Sequence, residues 1–217
     1  MSGIIEKIKS NPHFPAIFAA LSYTLLTLGS AISLYFYFTG TVSNDFWHWQ
    51  LVIYIIMIAN GVLGFSEFID EDSFFPLRDL LDYCQVSLAL PCYAAEMWIK
   101  TEIGPPEIAG FHATLGLIAV CTYILMECRR QDLTDLAVFA NGISLLCMAL
   151  LSINLFTLIA TSIFLAGYCI YKRHDDVCCM APMDKFNFVM AAFALTSLAS
   201  FDDNVIQATQ DTLSMSS

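Results

Sequence analysis

Acidic side chains are concentrated in one stretch, EFIDEDSFFPLRDLLDYCQ, from Glu67 to Gln85. It holds six carboxylates and one arginine, although the chain around it is apolar enough for lipid. The last of these acids, Asp82, falls roughly one helical turn inside the predicted hydrocarbon edge. A carboxylate at that depth is costly unless it faces the interior of a helix bundle or water. Its presence predicts either a buried ion pair or a polar path for ions.

Polar and small residues continue from Asp82 along one face of a predicted helix. They recur at alternating steps of four and three residues, which is the helical period: Arg78, Asp82, Gln85, Ala89, Cys92 and Glu96. Arg78 lies one turn before Asp82, where its charge can offset that of the carboxylate. Two interpretations stay open, namely an ion pair and amide that hold the bundle together, and the polar lining of a cavity.

Amide side chains on other apolar segments lie at a depth similar to that of Asp82. Asn60, Asn141 and Asn187 all fall in the predicted cytoplasmic half of their segments. Each alone is typical of an interhelical hydrogen bond. Together with Asp82 and Gln85, they are candidates to line a vestibule that opens to the cytoplasm.

The predicted mouth of this vestibule is acidic. Its carboxylates are Glu67, Asp70, Glu71, Asp72 and Asp79. Such a mouth would concentrate cations. The alternative is a solvated turn in which Asp79 stabilises a helix N-terminus. Glu96, at the far end of the same helix, is predicted to lie near the outer exit.

Composition shows which elements must position these residues. The 217 residues are 58% hydrophobic and only 13% charged, against about 25% charged in soluble domains. The mean hydropathy is +0.67. Apolar blocks predict an all-α, polytopic transmembrane bundle of seven spans, at about 14–38, 47–66, 77–99, 110–127, 136–152, 155–171 and 183–200. Ser152-Ile153-Asn154 is the predicted turn that divides the nearly continuous apolar run 136–171 into two spans.

The basic residues predict the orientation. Seven spans with a cytoplasmic N-terminus and an outer C-terminus place eight of the nine lysines and arginines on the cytoplasmic side. Lys100 is the exception. Three parts follow: a cytoplasmic interfacial segment at 1–13, the seven-helix domain at 14–200 and a flexible acidic tail at 201–217.

The eight cysteines are predicted to be free thiols, because most lie in or beside apolar spans. Cys178 and Cys179 in one polar link, and Cys128 beside Arg129, are candidates for S-palmitoylation at the cytoplasmic membrane edge. The four histidines lack metal-ligand spacing. We therefore predict no metal site and no cofactor.

Three classes of function remain. The first is a transporter or channel-like protein for a small cation, proton or polar solute. The second is a non-catalytic assembly or scaffold protein, or an organelle-organising protein. The third is a lipid-modifying enzyme that uses the cytoplasmic carboxylates. The expected partners are the lipid bilayer and either further copies of the chain or another membrane protein. The net charge of -11 argues against nucleic acid. We expect a eukaryotic endomembrane or the plasma membrane.

Overall fold

Seven helices form the part of the protein that the computed structural model describes, which is residues 13–40, 48–66, 74–102, 105, 107–173 and 180–202. No strand occurs in these residues. The helices are α1 (His13–Gly40), α2 (Trp49–Ser66), α3 (Phe75–Thr101), α4 (Glu107–Met126), α5 (Gln131–Ser152), α6 (Leu155–Lys172) and α7 (Pro182–Ala199). The predicted all-α bundle is confirmed. Several predicted site residues lie outside the described residues: Glu67, Asp70, Glu71, Asp72, Cys178 and Cys179.

Local sequence explains where the helices begin and end. Pro76 lies in the first turn of α3, where its missing N–H costs no helical hydrogen bond. Helix α5 ends at Ser152 because Ile153 turns the chain with a positive φ of 52°. The side chain of Asn154 then accepts a hydrogen bond of 3.0 Å from the backbone N–H of Thr157 and caps α6. The predicted turn at these residues is confirmed.

Five of the seven described helices begin earlier than predicted, by one to five residues. Helix α1 begins at His13, because Pro15 falls in its first turn, where proline is tolerated. Helix α5 begins at Gln131 rather than near 136. Its first turn contains Asp132, a charge that the helix N-terminus stabilises.

Helix α3 lies at the centre of the bundle. It packs against α2, α4 and α5 and makes a smaller contact with α6. Helix α1 packs against α2 and α7, and α7 packs against α6. Every residue from Tyr83 to Met97 is buried. Leu88, Pro91 and Ala95, on the face opposite the polar stripe, therefore also pack against neighbouring helices.

Glycines allow α1 and α2 to pack closely. A Cβ on Gly61 would lie 2.9 Å from the backbone oxygen of Tyr23, and a Cβ on Gly64 would overlap the ring of Tyr23. The small-residue spacing GVLG is typical of such a contact between membrane helices. The contact brings α2, with Asn60 beside Gly61, against the rest of the bundle.

The outer surface is apolar. Five helices are long and apolar enough to span a membrane, by length and composition: α1, α2, α4, α5 and α6. Large apolar side chains are exposed along them, such as Leu125 at 82% and Leu151 at 71%. These features are those of an integral membrane protein, whose outer face meets lipid rather than water.

The ends of the bundle differ in their charges. Arg78, Arg129 and Lys172 lie at one end, which we call the Arg78 end, because α3 begins there, α5 begins just after Arg129 and α6 finishes there. Lys100 lies at the opposite end, the Lys100 end, where α3 finishes. The two ends of the described bundle therefore differ in how many basic side chains they carry.

Candidate functional site

Three helices bring polar side chains together around Asp82. The side-chain N–H₂ of Asn60 in α2 donates to Oδ1 of Asp82 at 2.9 Å and to Oε1 of Gln85 at 2.8 Å. The amide of Gln85 in turn donates to Oδ1 of Asn187 in α7 at 3.1 Å. We call Asp82, Asn60, Gln85 and Asn187 the Asp82 cluster. Its three amide residues are fully buried.

Arg78 lies beside this cluster, as the one-turn spacing predicted. Its Nε is 3.9 Å from Oδ2 of Asp82. The same guanidinium donates a hydrogen bond to the hydroxyl of Tyr23 in α1 and lies over the Tyr23 ring, 5.1 Å from its centre. The positive charge nearest Asp82 therefore lies at the outer edge of the Asp82 cluster, and the same guanidinium also contacts α1.

Two polar atoms of the cluster have no hydrogen-bond partner in the described part of the chain. They are Oδ1 of Asn60, an acceptor, and the amide nitrogen of Asn187, a donor. Buried polar atoms are rarely left unpaired, because each costs about 1–3 kcal/mol. One acceptor lone pair on Asn60 and one N–H of Asn187 are therefore not used by the hydrogen bonds of the described residues.

Glu96, at the other end of the same stripe on α3, forms a second polar group. Its Oε1 accepts a hydrogen bond of 2.6 Å from the hydroxyl of Tyr37 and lies 3.1 Å from Nδ1 of His48. Its Oε2 lies 3.5 Å from the backbone nitrogen of Gln50. The buried carboxylate thus joins α1 and α2 to α3 near the Lys100 end.

An apolar layer separates these two polar groups. Its side chains are completely buried and come from α2, α3 and α7: Ile53, Met57, Leu90, Met190 and Phe193. Asp82 and Glu96 lie fourteen residues apart on α3, which is about 21 Å of helix. The stripe predicted from the sequence faces inward, as expected. The apolar layer nevertheless separates Asp82 from Glu96 within the bundle.

Asn141 does not join Asp82, contrary to the predicted convergence. Its Oδ1 lies 2.7 Å from Nδ1 of His112 in α4. The Nε2 of His112 lies 3.1 Å from the hydroxyl of Ser144, which also accepts a hydrogen bond of 2.9 Å from the indole of Trp98. Thr134 of α5 is level with Tyr83 of α3, and Ser144 is level with Trp98. Asn141 therefore lies closer to the Lys100 end than Asp82 does, and its amide faces α4.

Asp79 takes part in an ion pair rather than lining an open acidic mouth. It accepts hydrogen bonds from the guanidinium of Arg129 and from the hydroxyl of Tyr123. The sequence interpretation missed these partners, as it missed the carboxylate of Asp135, which accepts bonds of 2.5 Å from Tyr168 and Lys172. Tyrosines within apolar helices were the available signal, because a buried hydroxyl usually finds a partner.

Histidine and cysteine side chains do not form a metal centre in the described residues. No group of three or more histidine, cysteine, aspartate or glutamate side chains occurs there that could hold a metal ion. His48 and His112 belong to separate polar groups. The six described cysteines are free thiols, and Cys128 is exposed.

The chain was compared with known families, curated proteins and solved structures. None of them matches it. Its function is therefore inferred from the arrangement of its own side chains.

Proposed function

We propose that this chain is a multi-pass membrane transport protein that binds a proton or small cation at the Asp82 cluster. The proposal is supported above all by Oδ1 of Asn60, which lies beside the Asp82 carboxylate and has no hydrogen-bond partner among the described residues. A network that served only to join helices would be expected to satisfy all its buried polar atoms.

Electrostatics favours a positively charged guest. Among the described residues, the Asp82 carboxylate has the amide of Asn60 at one oxygen and Nε of Arg78, at 3.9 Å, at the other. A partly compensated carboxylate inside a membrane protein is a typical element of an ion or proton pathway. The acceptor oxygens of Asn60 and Gln85 lie beside it and are suited to a proton carrier or a hard cation.

All seven helices span the membrane in this proposal, with the N-terminus in the cytoplasm. The Arg78 end carries most of the described lysines and arginines, which favours its placement on the cytoplasmic side. Asp82 keeps 14% of its side-chain surface exposed and Arg78 keeps 22%. The ion would therefore enter the Asp82 cluster from the cytoplasm.

The apolar layer that includes Met57, Leu90 and Phe193 closes the route from Asp82 towards Glu96. Passage through the bundle requires α2 or α7 to shift against α3, as in rocking or shear motions of transporters. Many transporters are built from internal repeats. A chain of 217 residues without a visible repeat is proposed to act as an oligomer, in an endomembrane or the plasma membrane.

Flux measurements on purified protein in vesicles test the proposal. The wild-type chain should carry protons or monovalent cations, and Asp82→Asn should abolish that flux while it keeps the shape of the side chain. Asp132→Asn is the matched control, because Asp132 pairs with Arg130 at 2.7 Å on the exposed surface. This control should carry ions at the wild-type rate.

A scaffold role is the second candidate, because the amide–amide and amide–carboxylate bonds of the Asp82 cluster join different helices. In that case the wild-type vesicles show no flux above empty vesicles. Asp82→Asn and Asn60→Leu would then lower only thermal stability, and the transport proposal would be abandoned.

A further inference from the structure

We propose that Ser144, His112 and Asn141 form an acyl-transfer site in which the Ser144 hydroxyl is the nucleophile. The Oγ of Ser144 lies 3.1 Å from Nε2 of His112, and Nδ1 of that ring lies 2.7 Å from Oδ1 of Asn141. A nucleophile that contacts a base, which is itself oriented by a third group, is the geometry of a serine hydrolase centre. We call these three residues the Ser144 triad.

The hydrogen bonds around the triad define where each proton lies. The side-chain N–H₂ of Asn141 donates to the backbone oxygen of Ala137 at 2.6 Å, so Oδ1 is the atom that faces His112. An oxygen there can only accept, and Nδ1 of His112 therefore carries the proton. The lone pair of the neutral ring is then on Nε2 and faces the hydroxyl of Ser144.

Trp98 fixes the direction of the hydrogen bond between Ser144 and His112. Its indole N–H can only donate, and it donates to Oγ of Ser144 at 2.9 Å. The Ser144 hydroxyl proton is thereby directed to Nε2 of His112, which is the acceptor that nucleophilic attack requires. The Trp98 ring also stacks on the imidazole, with centres 5.9 Å apart and planes inclined by 15°, and this holds the base in position.

The surroundings of Ser144 indicate a substrate that arrives from the lipid. Ser144 is half-buried, while its neighbours on the outer surface, Ile143 at 63% and Phe111 at 60%, are exposed and apolar. An ester that reaches the Ser144 hydroxyl from this surface must pass between apolar side chains, and we therefore assign a lipid ester as the substrate class.

The reaction follows from these positions. Oγ of Ser144 attacks the ester carbonyl carbon while its proton passes to Nε2 of His112. The carbon–oxygen bond to the alcohol breaks, and the alcohol leaves with the proton from Nε2. Water then attacks the acyl-serine through the same base, which releases a fatty acid and restores the Ser144 hydroxyl. Asn141 is a positioning residue, since it acts through His112.

An alkyl fluorophosphonate, which reacts with activated serine hydroxyls, is the probe for this site. We expect peptide mass spectrometry of the wild-type protein to locate the probe on Ser144, and Ser144→Ala to lose it. Ser162→Ala is the matched control, because Ser162 is exposed on α6 and bonds only within its own helix, to Leu158. His112→Gln should lower the labelling rate by about a hundredfold or more, which is the usual contribution of a general base.

Substitutions of Asn141 distinguish a positioning role in the Ser144 triad from a purely structural role. Asn141→Ala should slow labelling and shift its pH profile, because the Nδ1 proton loses its acceptor, and Asn141→Asp should restore labelling, because a carboxylate accepts the same bond. Thermal unfolding of each variant identifies any that fail to fold.

Absence of probe from wild-type Ser144, attachment at another serine, or equal labelling in His112→Gln would overturn the proposal. Asp82→Asn should label at the wild-type rate, which keeps this test independent of ion transport. Because the mass spectrometric result comes from the unmodified sequence, it decides the matter even if a triad variant does not fold.

Discussion

The hydroxyl of Tyr37 donates a hydrogen bond of 2.6 Å to the carboxylate of Glu96 inside the bundle. Both side chains are buried, at 0% and 6% exposure, and the bond joins α1 to the central helix α3. His48 lies 3.1 Å from the same oxygen of Glu96. The carboxylate is therefore held by groups that flank the α1–α2 connection, and the loss of one partner leaves a buried acceptor less well satisfied.

Tyr37→Phe should lower the free energy of unfolding by about 1–3 kcal/mol, because it removes a donor from a buried charged acceptor. Denaturation of the purified protein in mixed detergent micelles measures this change. Tyr35→Phe is the control, because the Tyr35 side chain is 64% exposed on the same helix and its loss of a hydroxyl should have little effect. Equal stability of both variants would show that the Tyr37 bond contributes nothing.

Gly61→Ala should destabilise the protein through overpacking between α1 and α2. The added Cβ would lie 2.9 Å from the backbone oxygen of Tyr23, and backbone atoms cannot move aside without separating the helices. Overpacking of this kind costs about 1–3 kcal/mol. Gly110→Ala adds the same methyl group where nothing lies within 4 Å, and we expect it to gain up to about 1 kcal/mol from helix propensity. Thermal unfolding that ranks the two variants the other way would contradict this packing.

The proposed orientation predicts which surface residues are reached from each side of the membrane. In a Cys128→Ser, Cys178→Ser, Cys179→Ser background, a membrane-impermeant maleimide added to intact cells in which the chain is at the plasma membrane should label Glu102→Cys. It should label Asp132→Cys only after permeabilisation, because α5 begins at the Arg78 end. Labelling of Asp132→Cys in intact cells would show that the Arg78 end faces outward, opposite to the proposed orientation.

Cys128 is predicted to be S-acylated. It is exposed and lies directly after α4, beside Arg129, at the end of the bundle that we place in the cytoplasm. Hydroxylamine-dependent acyl exchange should detect the modification, and Cys128→Ser should reduce it, with any remainder on Cys178 and Cys179. Cys92, buried at 2% exposure, serves as the negative control. A signal of equal size with and without hydroxylamine would exclude a thioester-linked acyl group.

Local sequence was sufficient for the helices of this protein. Long apolar runs make helices in lipid because every backbone N–H and C=O must be paired within the segment. The break at Ile153 and the start of α3 at Phe75, beside Pro76, follow from turn and cap chemistry that a few neighbouring residues determine. The inward direction of Gln85 was likewise predictable, because it follows from helical period and the cost of exposing an amide to lipid.

Tertiary structure decided which polar residues meet. Asn60 bonds to Asp82 and Gln85, and Gln85 bonds to Asn187, while Asn141 lies nearer the Lys100 end and faces His112. Depth depends on where each helix begins, and α5 begins at Gln131 rather than near 136, which moves Asn141 further from the Arg78 end. Direction depends on rotation about the helix axis, about 100° per residue, and this rotation is set by packing between helices distant in the chain.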